Sequence, residues 1–451
     1  MKDIKEFLSV NKKRMLEILG EWISFPSMEG EKVGDYPFGK PVGECLDSAL
    51  AACTEFGFKT KNLDYYAGFG EIGQGDKTIG IMGHLDVVPV GPGWDSNPFV
   101  MTIKNDKIYG RGASDDKGPM VAALFALKYL QENKDDIDKK IRIVFGCNEE
   151  SGMKCAQYYV EKEGHFDWGF SPDGPFPCCF GEKGIINFRI SAANNIFKSL
   201  KGGVARNVVP DTCTLSLPVE LVDQDKLKDY LDKSPLLGYK LAVDDDVLSL
   251  ETNGRAAHAS TPEEGINAIS YALCALKEAG VIDPALDEFY KKINTEYTGK
   301  SCGIDLKDKY GDLTFNVGII ELVGDDIVLN VDIRCPFTYD NKVVIDKLST
   351  LFEVFAFEVM HDSKGLYQPE DSEFVQLLTS TYNEVAGRDE KPLSMGGGTY
   401  AREINNTLAF GPNDDKGEDT HIHDANEFIK EETLLNSCEI YIKTLLKILK
   451  L

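Results

Sequence analysis

The chain has 451 residues, of which 42% are hydrophobic and 27% are charged, and its formal net charge is −25. This length exceeds what one ordinary hydrophobic core organises, so we expect two domains, and the composition is that of a globular protein. The acidic balance disfavours nucleic acids and anionic membranes as partners.

The N-terminal segment predicts an amphipathic helix. Apolar residues recur at helical spacing between Ile4 and Trp22, and charged residues are spread through the same segment,. A signal peptide would need an uninterrupted apolar core there, and the longest uncharged run, residues 265–276, is too short to cross a bilayer,. The 11 cysteines are odd in number and include no CxxC pair, so we expect a cytoplasmic protein with reduced thiols.

Residues 68–73 (GFGEIG) match the GxGxxG pattern of dinucleotide-binding turns. Such a turn must open into a helix to bind phosphate. Here residues 74–77 lead into an apolar strand at 78–82 (TIGIM). We therefore interpret the glycine-rich segment as part of a hairpin, which disfavours a nucleotide-dependent oxidoreductase.

Strands and helices alternate in the first part of the chain. Residues 78–82 and 141–145 (IRIVF) predict buried strands, and residues 120–130 (MVAALFALKYL) predict a buried helix,. His84 follows the first strand closely, and Glu149 with Glu150 follows the second. Functional groups of α/β proteins lie just beyond the carboxyl ends of strands, so we expect a site at these positions.

The pattern changes after Asp173 and returns to helix and short strand after about Gly365. Strands are predicted near 185–190, 212–217, 313–320 and 327–333, with helices near 263–278 and 342–355,. A last helix is predicted near 431–449. We therefore expect an α/β catalytic domain, with a mixed sheet flanked by helices, formed by residues 1–182 and 366–451. An α+β domain of residues 183–365 is inserted into it.

His84 and Asp86 form an H-x-D pair in the motif GHLDVVP. In an extended backbone, residues i and i+2 point the same way. We expect the Asp86 carboxylate to accept the proton of the second ring nitrogen of His84, which would fix the tautomer of a metal-binding imidazole. An H-x-D pair by itself is a weak indication of function.

Asp115 and Asp116 stand at the start of the predicted helix, in GRGASDDKG. A carboxylate can bridge two cations through its two oxygens, and Asp115 is our candidate for that role. Aspartate is equally suited to capping a helix N-terminus. This motif by itself leaves both interpretations open.

Two further acidic motifs add carboxylates. Glu149 and Glu150 are adjacent in NEESG, and Asp173 stands in SPDG. Neighbouring carboxylates repel, so one commonly binds a cation while the other keeps an adjustable proton. We assign Glu150 to a metal and Glu149 to the general base. Taken alone, NEESG also fits a solvated acidic loop, and SPDG also fits a turn.

Near the C-terminus, His421 and His423 form an H-x-H pair. H-x-H also occurs in metal-dependent amidohydrolase barrels, but this chain shows no eightfold βα pattern. We take His423, in HDANE, as the ligand and His421 as a neighbour. Together the motifs supply two imidazoles, three ligand carboxylates and one spare acid, which suits two divalent ions that share a water.

The ordered set GHLDVVP, GRGASDDKG, NEESG, SPDG and HDANE resembles the metallopeptidases related to carboxypeptidase G, acetylornithine deacetylase and succinyl-diaminopimelate desuccinylase. The resemblance spans the whole chain. It implies one ion on His84, Asp115 and Asp173, and a second on Asp115, Glu150 and His423. It also implies a cis peptide between Asp115 and Asp116. Zinc is the family default, and manganese or cobalt suits the same nitrogen and oxygen ligands.

Four more stretches resemble the peptidase V and carnosinase-like dipeptidase branch of that family. They are GGVARNVVPD with Asn207, GRAAHASTPEEGINA with His258, VDIRCP with Arg334, and GGGTYAR with Gly398 and Arg402. The resemblance implies that the insertion is a lid and that the protein is a monomer. Without it, Arg334 fits an ion pair on a strand face and His258 fits a core histidine.

The combined hypothesis is a dinuclear metal-dependent dipeptidase acting on small peptides. Two ions would lower the pKa of a shared water, and Glu149 would take its proton and deliver it to the leaving amine. His258 would stabilise the oxyanion, and Asn207 can add a second donor. The planar fork of Arg334 would bind the substrate carboxylate, with help from Arg402 and the backbone at Gly398.

Two other functions stay open at this point. An N-acyl-amino-acid deacylase or a carboxypeptidase of the same family would use the same metal residues. A non-catalytic binding protein on this fold would be expected to lack a ligand or the base, and the sequence contains the full set.

Overall fold

The computed structural model describes residues 3–413 and 418–451. The chain divides into two compact units. The first comprises Met1–Phe180, Gln368–Leu393 and Thr399–Leu451, and the second comprises Gly181–Tyr367 and Ser394–Gly398. Residues 394–398 thus belong to the second unit, although the sequence placed them in the catalytic domain.

The helices are numbered in chain order. They are α1 (Ile4–Ile23), α2 (Lys40–Glu55), α3 (Lys117–Asn133), α4 (Lys154–Glu163), α5 (Gln224–Lys233), α6 (Ala268–Glu278), α7 (Pro284–Lys292), α8 (Asn341–Leu348), α9 (Glu373–Ala386) and α10 (Glu431–Ile448), with short 3-10 turns at Val219–Leu221, Pro262–Glu264 and Tyr400–Arg402. Side-chain caps begin several of them. Asp3, for example, accepts a hydrogen bond from the backbone of Glu6, which satisfies one of the free N–H groups at the start of α1.

The strands are likewise numbered in chain order. They are β1 (Lys59–Leu63), β2 (Ala67–Ile72), β3 (Thr78–His84), β4 (Thr102–Lys104), β5 (Lys107–Tyr109), β6 (Lys140–Gly146), β7 (Trp168–Ser171), β8 (Gly174–Pro175), β9 (Cys179–Glu182), β10 (Gly184–Ala193), β11 (Ser199–Gly202), β12 (Thr212–Pro218), β13 (Gly238–Asp244), β14 (Val247–Asn253), β15 (Lys307–Asp308), β16 (Gly311–Asp312), β17 (Thr314–Val323), β18 (Asp326–Cys335), β19 (Ala356–Ser363), β20 (Leu366–Tyr367), β21 (Leu393–Met395), β22 (Thr407–Ala409), β23 (Pro412–Asn413) and β24 (Phe428–Lys430).

The first unit is built on a mixed sheet with the order β1-β2-β6-β3-β7-β22. Strands β6, β3, β7 and β22 run parallel to one another, whereas β2 is antiparallel to both β1 and β6. Six of the seven residues of β3 are buried, as expected for a parallel strand covered on both faces. The carboxyl ends of β6, β3 and β7 therefore meet at one edge of the sheet.

Helix α3 lies at the centre of the helical layer of this unit. It contacts α1, α10, β3 and β6, and its residues from Lys117 to Leu127 are all buried. Such a helix is apolar on every side because every side packs against protein. The predicted buried helix at 120–130 and the predicted amphipathic N-terminal helix are both confirmed.

The second unit contains an antiparallel sheet with the order β13-β14-β12-β11-β17-β18-β10-β19. Apolar side chains of this sheet form a core with residues of α5, α6, α7 and α8, among them Leu227, Leu273, Phe289 and Val344. The long strands β10, β17 and β18 pair along most of their length. This register places Arg334 of β18 opposite Ile185 and Thr314.

Three details differ from the sequence-based expectations. Strand β6 lies between β2 and β3, so the GxGxxG segment belongs to a strand and does not form a hairpin with β3. Helix α6 begins after the cap Asn267, later than predicted, and α8 ends at Leu348, earlier than predicted. Among the helices of the described residues, none has the length and apolarity that a membrane span requires.

Candidate active site

Four of the predicted residues lie at the shared edge of β3, β6 and β7. His84 is the last residue of β3, Glu149 and Glu150 lie in the turn after β6, and Asp173 follows β7 by two residues. Because these three strands are adjacent and parallel, the chain brings the four side chains together although they are up to 89 positions apart in sequence. The placement follows the general position of α/β active sites.

Asp115 occupies the centre of this edge. It precedes α3, and the peptide between Asp115 and Asp116 is cis, as the resemblance implied. Its Oδ1 lies 2.9 Å from Nε2 of His84, and its Oδ2 lies 2.9 Å from Nε2 of His423. The two oxygens of one carboxylate thus face two different imidazoles, which is the arrangement a bridging ligand requires.

Two groups of potential ligand atoms share Asp115. One comprises His84, Asp115 and Asp173, the other comprises Asp115, Glu150 and His423, and within each group the atoms lie within 4.8 Å of one another. His84 Nε2 is 3.9 Å from Asp173 Oδ2, and His423 Nε2 is 3.2 Å from Glu150 Oε2. Imidazole nitrogen and carboxylate oxygen suit zinc, manganese and cobalt.

The electrostatics of the cluster favour positive charge at its centre. Burial lowers the pKa of His84, but Asp115 and the other carboxylates raise it well above its ordinary value. Burial also opposes protonation of His423, yet Asp115 and Glu150 raise its pKa to about 11. The donor set therefore attracts cations strongly, and divalent ions between these atoms would satisfy the same negative charge.

Asp86 interacts differently from the prediction. His84 Nδ1 donates a hydrogen bond to the backbone oxygen of Asp86 at 2.9 Å, while the Asp86 carboxylate is 3.7 Å away. The backbone carbonyl, rather than the carboxylate, therefore fixes the tautomer and directs Nε2 toward Asp115. The carboxylate accepts a hydrogen bond from the backbone N–H of Glu150. It connects the end of β3 to the turn after β6, and burial raises its pKa to about 6.

The motif GHLDVVP also requires its glycine. The backbone N–H of His84 donates to Asp116 Oδ2 at 3.1 Å. A Cβ at Gly83 would lie 2.0 Å from that same oxygen. Glycine therefore allows the carboxylate of Asp116 to approach β3 and hold the backbone of His84.

Glu149 lies beside the ligand groups without belonging to either of them. Its turn is shaped by Asn148, whose side chain accepts from the backbone of Lys154 and donates to Ser151. Burial raises the pKa of Glu149 well above its ordinary value, and the carboxylate of Asp173 adds to this effect. A carboxyl group with this tendency to hold a proton is suited to proton transfer.

A buried ion pair, which the sequence interpretation missed, supports the Asp115 loop. The Glu427 carboxylate accepts hydrogen bonds from the backbone N–H groups of Gly112, Ser114 and Asp115, and from Arg111 Nη1 at 2.7 Å. Arg111 Nη2 donates to the backbone oxygen of His423 at 3.2 Å. The pair thus holds the backbones of two candidate ligands, Asp115 and His423. Arg111 stands in the motif GRGASDDKG and Glu427 in HDANE. A charged residue among the small residues of a motif was the signal that could have identified them.

We expect Glu427→Gln to destabilise the first unit by about 3 kcal/mol, because it breaks a buried ion pair and turns an amide donor toward N–H donors. Thermal unfolding should show a midpoint several degrees lower. Glu432, an exposed residue at the start of α10, provides a matched control, and Glu432→Gln should leave the midpoint close to that of the unsubstituted protein. Equal midpoints for the two variants would contradict the supporting role of Glu427.

In the second unit, two neighbouring loops carry Asn207 and His258. The backbone N–H of Ala259 donates to the backbone oxygen of Asn207 at 2.8 Å, and Val208 pairs with His258 in an isolated bridge. Asn316 secures the Asn207 loop by donating to the backbone oxygens of Arg206 and Val208. The His258 side chain is exposed, so the alternative of a core histidine is wrong.

Arg334 forms the strand-face ion pair that was left open as an alternative. Its Nε and Nη2 donate to the two carboxylate oxygens of Asp332, at 2.7 and 3.1 Å. Asn187 Nδ2 donates to Asp332 at 2.8 Å. A guanidinium has a second edge, formed by Nη1 and Nη2, that this pairing does not use. The ion pair is therefore compatible with carboxylate binding.

The GGGTYAR segment is divided between the units. Gly398 belongs to the second unit, whereas Arg402 belongs to the first. Arg402 is buried at the end of the Tyr400–Arg402 turn, which Thr399 caps. His421, treated as a neighbour of the site, is exposed beside Phe428.

Comparison with known proteins identifies relatives along the whole chain. Residues 80–447 match the family described as Peptidase family M20/M25/M40. The chain is 33% identical to the protein named "Putative dipeptidase YtjP" of Bacillus subtilis (strain 168), over 100% of this chain and 97% of that protein.

Two solved structures share the fold. Human carnosine dipeptidase 1 aligns with a TM-score of 0.60 and 15% identity over 99% of both chains. The M20 family metallo-carboxypeptidase Sso-CP2 from Sulfolobus solfataricus aligns with a TM-score of 0.61 and 19% identity, over 97% of this chain and 99% of that chain. These alignments confirm the predicted α/β fold class.

Proposed function

The chain belongs to peptidase family M20/M25/M40, a family of metal-dependent hydrolases, and on this premise we propose that it is a dinuclear metal-dependent dipeptidase. The observation that carries the proposal is Asp115, whose two oxygens face His84 and His423 at 2.9 Å each. Full-length similarity to the protein named "Putative dipeptidase YtjP" supports the substrate class. The first unit is then the catalytic domain, and the second unit is the lid that supplies substrate-binding groups.

The metal ligands in this proposal are His84, Asp115 and Asp173 for one ion, and Asp115, Glu150 and His423 for the other. Bound divalent ions supply Lewis acidity, which polarises the scissile carbonyl and makes water more acidic. Zinc is the proposed ion, and manganese or cobalt would fit the same donors. Asp86 and Asp116 hold the backbone around His84 and Glu150, so that the ligand atoms stay at their positions.

The remaining steps belong to protein side chains. Glu149 takes a proton from the attacking water and delivers it to the leaving amine. His258 donates to the oxygen that becomes negatively charged, assisted by Asn207. Arg334 binds the substrate carboxylate with the N–H groups of Nη1 and Nη2 that remain beside its contacts with Asp332 and Gly396, and Gly398 and Arg402 are further substrate-binding residues in this proposal. A carboxylate clamp near the scissile bond restricts cleavage to the C-terminal peptide bond, which is the only peptide bond of a dipeptide.

The decisive experiment is hydrolysis of a small substrate panel by metal-stripped protein refilled with zinc or manganese. The panel contains a dipeptide, its tripeptide extension, β-alanyl-histidine and an N-acetyl amino acid. Metal-dependent cleavage of dipeptides with poor cleavage of the tripeptide is the expected result. Preference for the N-acetyl compound would assign a deacylase, and preference for the longer peptide would assign a carboxypeptidase. No cleavage with either ion would indicate a non-catalytic protein.

Arg334→Lys should lower kcat/KM for a dipeptide by about 10- to 100-fold, because the planar fork is lost while the charge is kept. The same dipeptide with a C-terminal amide lacks the carboxylate, so its kcat/KM should change little. Arg189→Lys, on the neighbouring strand β10 and paired with Glu358, serves as the control and should leave both values unchanged. An equal loss for the two substrates would contradict the clamp.

A further inference from the structure

Gly396 in the second unit contacts Arg334 directly and contacts Ser260, the residue that holds His258. Its backbone oxygen accepts a hydrogen bond from Arg334 Nη1 at 3.1 Å. A Cβ built at Gly396 would lie 2.3 Å from the Cβ of Ser260 and 2.9 Å from its Oγ. Ser260 and Gly396 are therefore in closer contact than any residue with a side chain at 396 would allow.

Ser260 in turn fixes the imidazole of His258. Its backbone N–H donates to His258 Nδ1 at 3.2 Å, and its Oγ lies 2.7 Å from the same nitrogen. A backbone N–H can only donate, so Nδ1 is the acceptor, and the neutral ring carries its proton on Nε2. Ser260 thus determines both the tautomer and the direction of the donor that we assign to the oxyanion.

The side chain of Arg334 is also held in place, by Asp332 and Gly396. Asp332 engages the Nε–Nη2 edge of the guanidinium, and Gly396 engages Nη1. The segment that contains Gly396 is itself attached to the sheet, because the backbone N–H of Lys183 donates to the Met395 oxygen at 3.0 Å. The guanidinium of Arg334 and the imidazole of His258 are therefore both positioned relative to the backbone of Gly396. The guanidinium contacts it directly, and the imidazole is held through Ser260.

We propose that Gly396 is a positioning residue that sets the distance between His258 and Arg334, and thereby selects substrates whose carboxylate lies one residue beyond the scissile bond. The inference rests on the roles proposed above for these two side chains. Its physical basis is that a site discriminates length only if both contact points are held to within about 0.5 Å. A shared backbone contact holds two side chains relative to each other better than two independent loops would.

The test is Gly396→Ala, compared with Gly397→Ala. Neither glycine has a left-handed backbone conformation, and a Cβ at Gly397 meets no atom of the described residues within 4 Å. The two variants therefore differ mainly in the contact with Ser260. The quantity to measure is the ratio of kcat/KM for a dipeptide to that for release of the N-terminal residue from its C-terminally extended tripeptide, in which the carboxylate lies two residues beyond the scissile bond. This ratio does not depend on the fraction of folded enzyme.

We expect Gly396→Ala to lower the dipeptide-to-tripeptide ratio by about tenfold, since displacement of a positioning group typically costs one to two orders of magnitude. Gly397→Ala should keep the ratio within about twofold of the unsubstituted protein, because its Cβ makes no contact. An unchanged ratio in Gly396→Ala, or an equal fall in both variants, would overturn the proposal.

A second-site variant separates positioning from general damage. Ser260→Gly removes the Cβ that an alanine at 396 would meet, yet keeps the backbone N–H that donates to His258. The double variant Gly396→Ala with Ser260→Gly should therefore recover the ratio of Ser260→Gly alone, and failure to recover it would overturn the proposal. If His258→Ala and Arg334→Lys leave activity and selectivity unchanged, the proposed function itself has failed, which is a distinct result.

Discussion

Replacing Glu149 with glutamine should lower kcat by about 10³-fold, because the amide cannot accept the proton of the attacking water. The side chain keeps its size, so the turn after β6 should be retained. Glu149 belongs to neither group of potential ligand atoms, and we therefore expect the variant to bind as much metal as the unsubstituted protein. The measurements are kcat for a dipeptide and the metal content per chain by mass spectrometry.

The adjacent residue provides the contrast for this experiment. Glu150 lies 3.2 Å from Nε2 of His423, and Glu150→Gln should lose part of the bound metal as well as activity. The pair of variants thus distinguishes a base from a ligand at neighbouring positions of one turn. Near-normal kcat in Glu149→Gln would exclude it as the base, and loss of metal in that variant would make it a ligand.

Replacing His258 with alanine should lower kcat by about 10²- to 10³-fold, the typical effect of losing one oxyanion donor. The physical reason is the tautomer that Ser260 enforces, since the ring presents an N–H from Nε2. The KM should change less than kcat, because the donor acts mainly on charge that develops during the reaction.

His361→Ala is the matched control for His258→Ala, because His361 is an exposed histidine of the same unit, on β19. It should retain the kcat of the unsubstituted protein. His258→Gln keeps an N–H donor on a shorter group and should recover part of the activity. An unchanged kcat in His258→Ala would remove this residue from the mechanism, whereas equal losses in both alanine variants would indicate a general defect.

The strands of the first unit were predictable because their sequence signals are local. The apolar runs at 78–82 and 141–145 became β3 and β6, and the polar residues just after them lie at the carboxyl edge of the sheet. The order of the strands was less predictable. Strand β6 lies between β2 and β3, so a segment that resembled one arm of a hairpin pairs with a strand from a distant part of the chain.

The rule that residues i and i+2 of a strand share a face fails for one pair of residues and holds for another. It suggested that the carboxylate of Asp86 binds His84, but the backbone carbonyl of Asp86 does so. The same rule applies to Asp332 and Arg334, which do form a two-pronged ion pair. Spacing indicates which side chains share a face, and the contacts themselves depend on local backbone conformation and neighbouring strands.

The sequence by itself determined the types of chemistry-bearing residues, their order along the chain and the family to which they belong. Those features depend on short motifs and local periodicity, which can be recognised in the sequence alone. Only the tertiary structure decided that Asp115 faces two imidazoles, that Glu427 and Arg111 hold the backbones of Asp115 and His423, and that Gly396 joins Ser260 to Arg334. These contacts link residues up to 316 positions apart, and no local pattern specifies them, because they follow from strand order and close packing.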